Sequence, residues 1–492
     1  MRPLPGIDLL TVLKRSLSIS IFGALIACYP PLPGAGAAPA APSSGARWNP
    51  PAREEAGSRL PPDSMPPALE TRRTSLTTTD LVTLALERSP ETRATWLAAR
   101  AASAGYGAAR ATLFPDIGAA ASVTTLKTAA TGGRVSVQQT TYGPSISLSW
   151  LLFDFGGRAG AIDAAKENLF AANWVHNATV ADVVRRTVQG YFAYVGARGL
   201  ADAERTTLLE SQVNLSATED RRNVGVATIA EVLQARTAVS QAQLALQQAE
   251  GSLASTRGAL ATLIGLPPNA AFEVDTAEAT APVAQVSETV DSLMARGLLD
   301  RPDLAAQRAE VDVRRAQARE ARSQYLPSLS ATGAASTVWV NSNPQSHPSY
   351  NLGLALEIPL FNGFGWQYAA QAAALTADAE AARLRTMEQQ VALQVFQTYQ
   401  ELRTATQSVS TSDELFTSAS AAVDAARARY REGVGSLLEL LTAENSLAGA
   451  RAQRIQSRVA WHTSLVQLAH DAGLLEPGGA TQLHLAPATG GN

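Results

Sequence analysis

The sequence predicts a mainly α-helical chain, built twice over, that carries one β-hairpin of membrane-barrel character in each copy. Three observations predict it. Motifs recur at a fixed offset of 208 residues. Two long windows, 144 to 267 and 359 to 477, hold no internal proline and a single glycine-marked break each. Two segments alternate apolar and polar residues with period two.

The offset is clearest at the breaks, "RRNVGVATIAEVLQAR" at 221–236 and "REGVGSLLELLTAEN" at 431–445. Gly225 aligns with Gly433, Val226 with Val434 and Glu231 with Glu439. Leu152-Phe153-Asp154 matches Leu360-Phe361-Asn362, Tyr191 matches Tyr399, and Gly265-Leu266 matches Gly473-Leu474. Upstream the offset becomes 212, as in Pro90 and Pro302, so the length difference falls in a loop between about 118 and 150. The duplication covers 76–270 and 288–476, with a linker at 271–287.

Each break reads as the tip of a helical hairpin. Glycine costs about 1 kcal/mol inside a helix but is favourable just past its end. A hydroxyl residue follows, then glutamate three places on: Thr228 with Glu231, and Ser436 with Glu439. That is a capping-box pattern, which satisfies the first orphan amides of a new helix. The tip turns are Gly225-Val226 and Gly433-Val434-Gly435. The spacing predicts helices over 158–222 and 228–264, and again over 367–431 and 436–472. At 1.5 Å per residue the longer ones reach about 100 Å, a length that belongs to coiled coils or bundles. Shorter helices begin at Pro90 and Pro302, since proline suits the first helical turn. Pro115 and Pro327 follow the ends of these helices, near Leu113 and Tyr325.

Strands follow those prolines. In one, Ile146, Leu148, Trp150 and Leu152 alternate with Ser145, Ser147 and Ser149. In the other, Leu352, Leu354, Leu356, Ile358 and Leu360 alternate with Asn351, Gly353, Ala355 and Glu357. Weaker strands are expected at 116–126 and 328–340. Strands of roughly ten residues with one apolar face match the outer-membrane barrel pattern. Ile146, Leu148, Trp150, Leu352, Leu354 and Leu356 are therefore the expected lipid-facing set. Four strands cannot close a barrel, and lipid tolerates no open edge, so several chains must share one.

The ends differ in character. Arg2, Lys14 and Arg15 precede an apolar run from Leu17 to Ala27, too short to span a bilayer, as in an export signal over 1–27. Leu25-Ile26-Ala27-Cys28 looks like a bacterial lipobox, which would make Cys28 an acylated N-terminus; the alternative is an ordinary signal cut near Ala35-Gly36-Ala37. Cys28 is the sole cysteine, so no internal disulfide forms. The segment 28–75 is rich in proline and alanine and reads as an extended tether, and 477–492 as a flexible tail.

A net charge of −3 over 492 residues offers no basic face for nucleic acid. No catalytic constellation emerges, and no cofactor is expected. Among five histidines only His462 and His470 share a helix, and that spacing is weak for a metal. Gly433 and Gly435 lack the third glycine and preceding strand of a dinucleotide fingerprint. A non-pore coiled-coil scaffold of the periplasm is the contrasting reading, opposed by the alternating strands.

The paired hairpins, the "LLFDFGGR" and "PLFNGFG" junctions and the "RYREGVGSLLELLTAEN" tip resemble the TolC family of outer-membrane efflux proteins, over about 76 to 475. The resemblance implies a homotrimer with a shared twelve-stranded barrel in the outer membrane and a helical tunnel through the periplasm, closed at the tips. It also implies a periplasmic adaptor docking at the tips and an inner-membrane pump. The lipobox suggests the lipoprotein branch serving resistance-nodulation-division pumps; type I protein secretion stays open. Glu439, beside a tip, is a candidate gate residue in such a tunnel.

Overall fold

In the computed structural model of the chain, the described residues are 70, 73, 75–127, 138–276, 284–341, 343–475 and 485–487. The export signal, Cys28 and nearly all of the 28–75 segment lie outside them. The elements run α1 (Thr78–Arg88), α2 (Pro90–Ala111), β1 (Asp116–Lys127), β2 (Gln138–Phe153), α3 (Gly157–Asn223) and α4 (Ile229–Leu263). The same order follows with α5 (Val290–Asp300), α6 (Pro302–Ser323), β4 (Ser328–Val340), β5 (Asn343–Glu357), α7 (Gly365–Arg431) and α8 (Leu437–Asp471). Two short strands, β3 (Ala284–Val286) and β6 (Leu485–Pro487), complete the set. The chain is thus mostly helical with a small antiparallel sheet.

The helices α1 and α5 were not expected. Thr77 and Asp80 close a full capping box at the start of α1, and the Thr289 side chain accepts from the amide of Ser292 at α5. Each helix ends just before a proline. Ser89 and Arg301 are extended, as residues before proline prefer, and Pro90 and Pro302 then open α2 and α6. One residue type thereby stops one helix and starts the next.

The long helices α3 and α7 are 67 residues each, and α4 and α8 are 35 each. Their buried positions recur every seven residues. Ala235, Ala242 and Ala249 do so on α4, and Thr398, Ala405, Ser412, Ala419 and Ala426 on α7. A seven-residue spacing keeps one seam toward a partner helix, and small side chains let the backbones approach. So α3 packs on α4 and α7 on α8, while α6 lies against both α3 and α7. The helices stop in paired turns at Gly225, Gly265, Gly433 and Gly473, all with positive φ. At Gly265, for example, Leu266 N donates to Ala261 O at 2.8 Å and Gly265 N to Thr262 O at 3.1 Å, the Schellman pattern.

Apolar residues of α1, α3, α4 and the segment after α4 form the larger core, around Leu81, Leu84, Tyr191, Leu260, Ile264 and Phe272. The Tyr191 hydroxyl donates to Asp275 O at 2.6 Å, so this buried polar atom is satisfied. A second core joins α5, α7 and α8 around Leu293, Val395, Leu402 and Leu468. The expected linker at 271–287 is therefore partly packed: Phe272 and Val274 are buried. The expected loose tail is corrected at one point, because Leu485–Pro487 pairs with Ala284–Val286. Backbone pairing gives both short segments partners for amides that neither could satisfy locally.

The main sheet has the order β1-β2-β4-β5, antiparallel throughout. Its strands are 12, 16, 13 and 15 residues long, more than the ten or so expected. Two details of the alternation are corrected. A register shift between Leu151 and Phe153 takes Leu152 out of the alternation and puts Phe153 opposite Leu329; one extra residue is what a β-bulge inserts. Ile358 and Leu360 lie beyond β5, which ends at Glu357, and Pro359 between them has no N–H for a ladder.

Candidate docking tips and pore-lining sheet

The register decides which side chains share a face. Directly opposite residues of antiparallel strands point to the same side. Ile117 faces Leu148, Leu148 faces Gly333, and Gly333 faces Leu352. Ile146 faces Ala335, Trp150 and Leu354 both face Ala331, and Leu356 faces Leu329. All six expected lipid-facing residues thus lie on one face of one sheet. Ser147, Ala334 and Asn351 share the other. Leu352 and Leu354 are 82% and 73% exposed, and Leu148 is half-buried. The Trp150 indole donates to Leu113 O at 3.0 Å, tying β2 to the end of α2.

At the first tip, the α3–α4 turn closes as the sequence predicts. Val226 N donates to Arg221 O at 2.9 Å. The Thr228 hydroxyl accepts from Glu231 N, and the Glu231 carboxylate accepts from Thr228 N at 2.6 Å. The α7–α8 turn has the same backbone, with Val434 N donating to Arg429 O at 3.0 Å. A Cβ on Gly435 would sit 2.9 Å from the Arg429 Cβ, so glycine allows this close approach.

The second capping box is only half made, which corrects the reading of Glu439. Ser436 accepts from Glu439 N at 3.1 Å, but the Glu439 carboxylate pairs with Arg429 at 3.2 Å instead of reaching back. The reason lies in the matching arginine of the first tip. Arg221 stacks on the Tyr430 ring at 4.7 Å and donates to Tyr430 O at 3.3 Å. That contact takes Arg221 away from Glu231, whereas among the described residues Arg429 pairs with Glu439. Around both tips, Val224, Val226, Ile229, Leu233, Val434 and Leu438 are exposed.

The hairpins are joined by polar contacts that sequence reasoning missed. Arg451 of α8 makes a two-pronged pair with Glu210 of α3, at 2.8 and 3.0 Å. Asn214 of α3 donates to Glu444 of α8 at 2.6 Å, and Arg427 lies 3.4 Å from the same carboxylate. Glu210, Asn214, Thr218 and Arg221 are spaced four, four and three apart, so a polar stripe on α3 was there to be found. Its partners were not, since they lie more than 200 residues away.

Burial pushes the Glu444 carboxyl above its usual range, outweighing the opposite pull of Asn214 and Arg427. A raised folded-state value means that stability from this group is complete below about pH 4.3, the ordinary glutamate value, and is lost as pH rises through the folded value. Glu444→Gln is therefore expected to raise the thermal midpoint at neutral pH and to flatten its pH dependence on the acid side. Parallel midpoint-against-pH curves for the two proteins would refute this.

His462 is buried and stacks on Phe192 at 4.1 Å, while His470 Nδ1 lies 3.1 Å from Asp471. The two do not converge. Among the described residues no group of three or more His, Cys, Asp or Glu is placed to hold a metal ion.

Two stretches, 81–266 and 293–474, match the model of the family described as outer membrane efflux protein. The chain belongs to that family. Protein CyaE of Bordetella pertussis is 28% identical over 439 residues, covering 87% of this chain and 90% of that one. The pyoverdine export outer membrane protein OpmQ of Pseudomonas putida is 26% identical, over 64% of this chain and 67% of its own. In fold, the CmeC outer membrane channel of Campylobacter jejuni superposes with a TM-score of 0.72 at 19% identity, over 82% of this chain and 86% of that one. OpmQ is thus described as an outer membrane export protein, and CmeC, similar in fold, as an outer membrane channel.

Proposed function

We propose that the chain is the outer-membrane channel of a tripartite efflux system, an internally duplicated protein working as a homotrimer. Three four-stranded sheets close one twelve-stranded barrel, and the long hairpins form a tunnel across the periplasm. A periplasmic adaptor grips the tip turns at Gly225-Val226 and Gly433-Val434-Gly435, and an inner-membrane pump of the resistance-nodulation-division type supplies small-molecule cargo. Acylation of Cys28 would add a lipid anchor beside the barrel.

The observation that carries this reading is the sheet: one continuous apolar face, and two edges, β1 and β5, each paired on one side only. Such edges in lipid require neighbouring copies. The helices support the same assembly. While α6 is flanked by α3 and α7, its counterpart α2 packs chiefly on α3 and leaves Trp96 and Leu97 nearly half exposed. The missing neighbour of α2 corresponds to α7 of the next protomer.

The test is to measure the mass of the detergent-solubilised protein, its conductance in planar bilayers, and small-molecule accumulation in a deletion strain. A trimer with discrete channels and raised accumulation is expected. Unchanged accumulation with loss of a secreted protein would move the channel to a type I secretion system. Release from membranes by carbonate would make it a scaffold.

Within such a trimer Glu439 is the candidate gate residue. Glu439→Gln breaks the pair with Arg429 but leaves the Ser436 hydroxyl on its amide. An exposed pair is worth about 0–1 kcal/mol, so stability should barely change. If three Glu439 carboxylates converge, cation preference and block by divalent ions should both weaken. Unaltered block would leave Glu439 with no part in gating.

A further inference from the structure

The four strands of the main sheet hold few charges. Asp116, Lys127 and Glu357 are the only acidic or basic residues in them, and His347 the only histidine. The register sorts these residues. Asp116 lies opposite Ser149 and Glu357 opposite Ser328, both on the hydroxyl-rich face. Lys127 lies opposite Gln138 on the other face, at the far end of β1. His347, opposite Val338, is on the hydroxyl face but near the loop end of β5. Asp116 opens β1 directly after Pro115, and Glu357 closes β5 before the turn to α7, so both stand at the helix-proximal end. Both are exposed, and neither takes part in an ion pair among the described residues. Between the two ends the hydroxyl face carries only Ser, Thr, Gly, Ala, Asn and other uncharged side chains.

Asp116 and Glu357 also sit on the two open edges, β1 and β5. Closing the barrel from several copies pairs β5 of one protomer with β1 of the next. Glu357 of one protomer then meets Asp116 of the next at each seam around the passage from tunnel to barrel, with an uncharged wall beyond. Like-signed charges in a confined passage with low-dielectric walls concentrate counter-ions.

We infer that Asp116 and Glu357 set the charge preference at the inner mouth of the barrel, admitting cationic solutes from the helical tunnel ahead of anionic ones. This rests on the trimeric-channel reading above. It is separate from any role of Glu439, which lies at the opposite end of the long helices.

The experiment uses the full-length protein in planar bilayers under a potassium chloride gradient. Asp116→Asn with Glu357→Gln is made in the Glu439→Gln background, so that the tips contribute no carboxylate. The reversal potential should shift toward zero and the cation-to-anion permeability ratio should fall toward one. The shift should be largest in dilute salt, where the Debye length is about 30 Å, and nearly vanish at 1 M, where it is about 3 Å. Asp116→Lys with Glu357→Lys should turn the preference to anions. Should the double neutral variant form no channels, each single variant carries the test, with a smaller shift in the same direction. A permeability ratio unchanged by all of these substitutions would overturn the inference while leaving the channel intact. Absence of channels from the unsubstituted protein would overturn both it and the reading on which it rests.

Discussion

Arginine at Leu352 is expected to cost about 2–4 kcal/mol of barrel stability, whereas arginine at Gly353, one residue on, is expected to be tolerated. Leu352 is 82% exposed on the apolar face and lies in register with Gly333 and Leu148. Gly353 points the other way, and a Cβ there meets only the Thr332 hydroxyl at an ordinary 3.5 Å. In the proposed barrel a guanidinium on the first site must enter hydrocarbon, and on the second it enters water in the lumen. The penalty should shrink for Leu356→Arg, which is nearer the end of β5, because the cost falls toward the membrane interface. Folding titrations into lipid vesicles measure all three. Equal losses at Leu352 and Gly353 would show that the two faces are not lipid and lumen.

Tryptophan at both Gly225 and Gly433 is expected to abolish export while the trimer still assembles and inserts. The two glycines have φ of +82° and +76°, where an L side chain costs roughly 1–2 kcal/mol. A Cβ at either meets nothing within 4 Å, so added bulk projects from the tip and spares the fold. The effect on export should therefore come from lost docking. Alanine at the same positions separates strain from bulk, because it carries the backbone cost without the volume. Export should survive the alanine pair and fail with the tryptophan pair. Wild-type export from the tryptophan variant would remove the tips from the docking surface.

The parts of this molecule legible in the sequence are those fixed by neighbours a few residues away. Pro90 and Pro302 mark helix starts because a ring without an N–H costs nothing in the first turn. Gly225 and Gly433 mark helix ends because only glycine turns left-handed freely. Thr228 and Ser436 cap the helices that follow through bonds spanning three residues. The helices α1 and α5 were legible too, since Thr77, Asp80 and the run around Leu81 and Leu84 carry a box and an apolar face. The candidate site divides in the same way. The apolar set from Ile146 to Leu356 could be read from alternation within each strand, but not the sharing of one face by both hairpins, which depends on the pairing of β2 with β4.

The sequence by itself determined the order of elements, the length of the long helices, the tip turns and the alternation of the strands, because each is local in origin. Tertiary structure decided the rest. It set the bulge at Leu152, the pairing of Leu485–Pro487 with Ala284–Val286, and the different fates of Glu231 and Glu439. The last case shows the physical reason. Two tips with the same local pattern part ways because Arg221 finds the ring of Tyr430, a residue 209 positions along the chain, while Arg429, among the described residues, pairs with Glu439. A short-range pattern limits what a side chain can reach; the competing partner that arrives from a distant element decides which of those contacts it keeps.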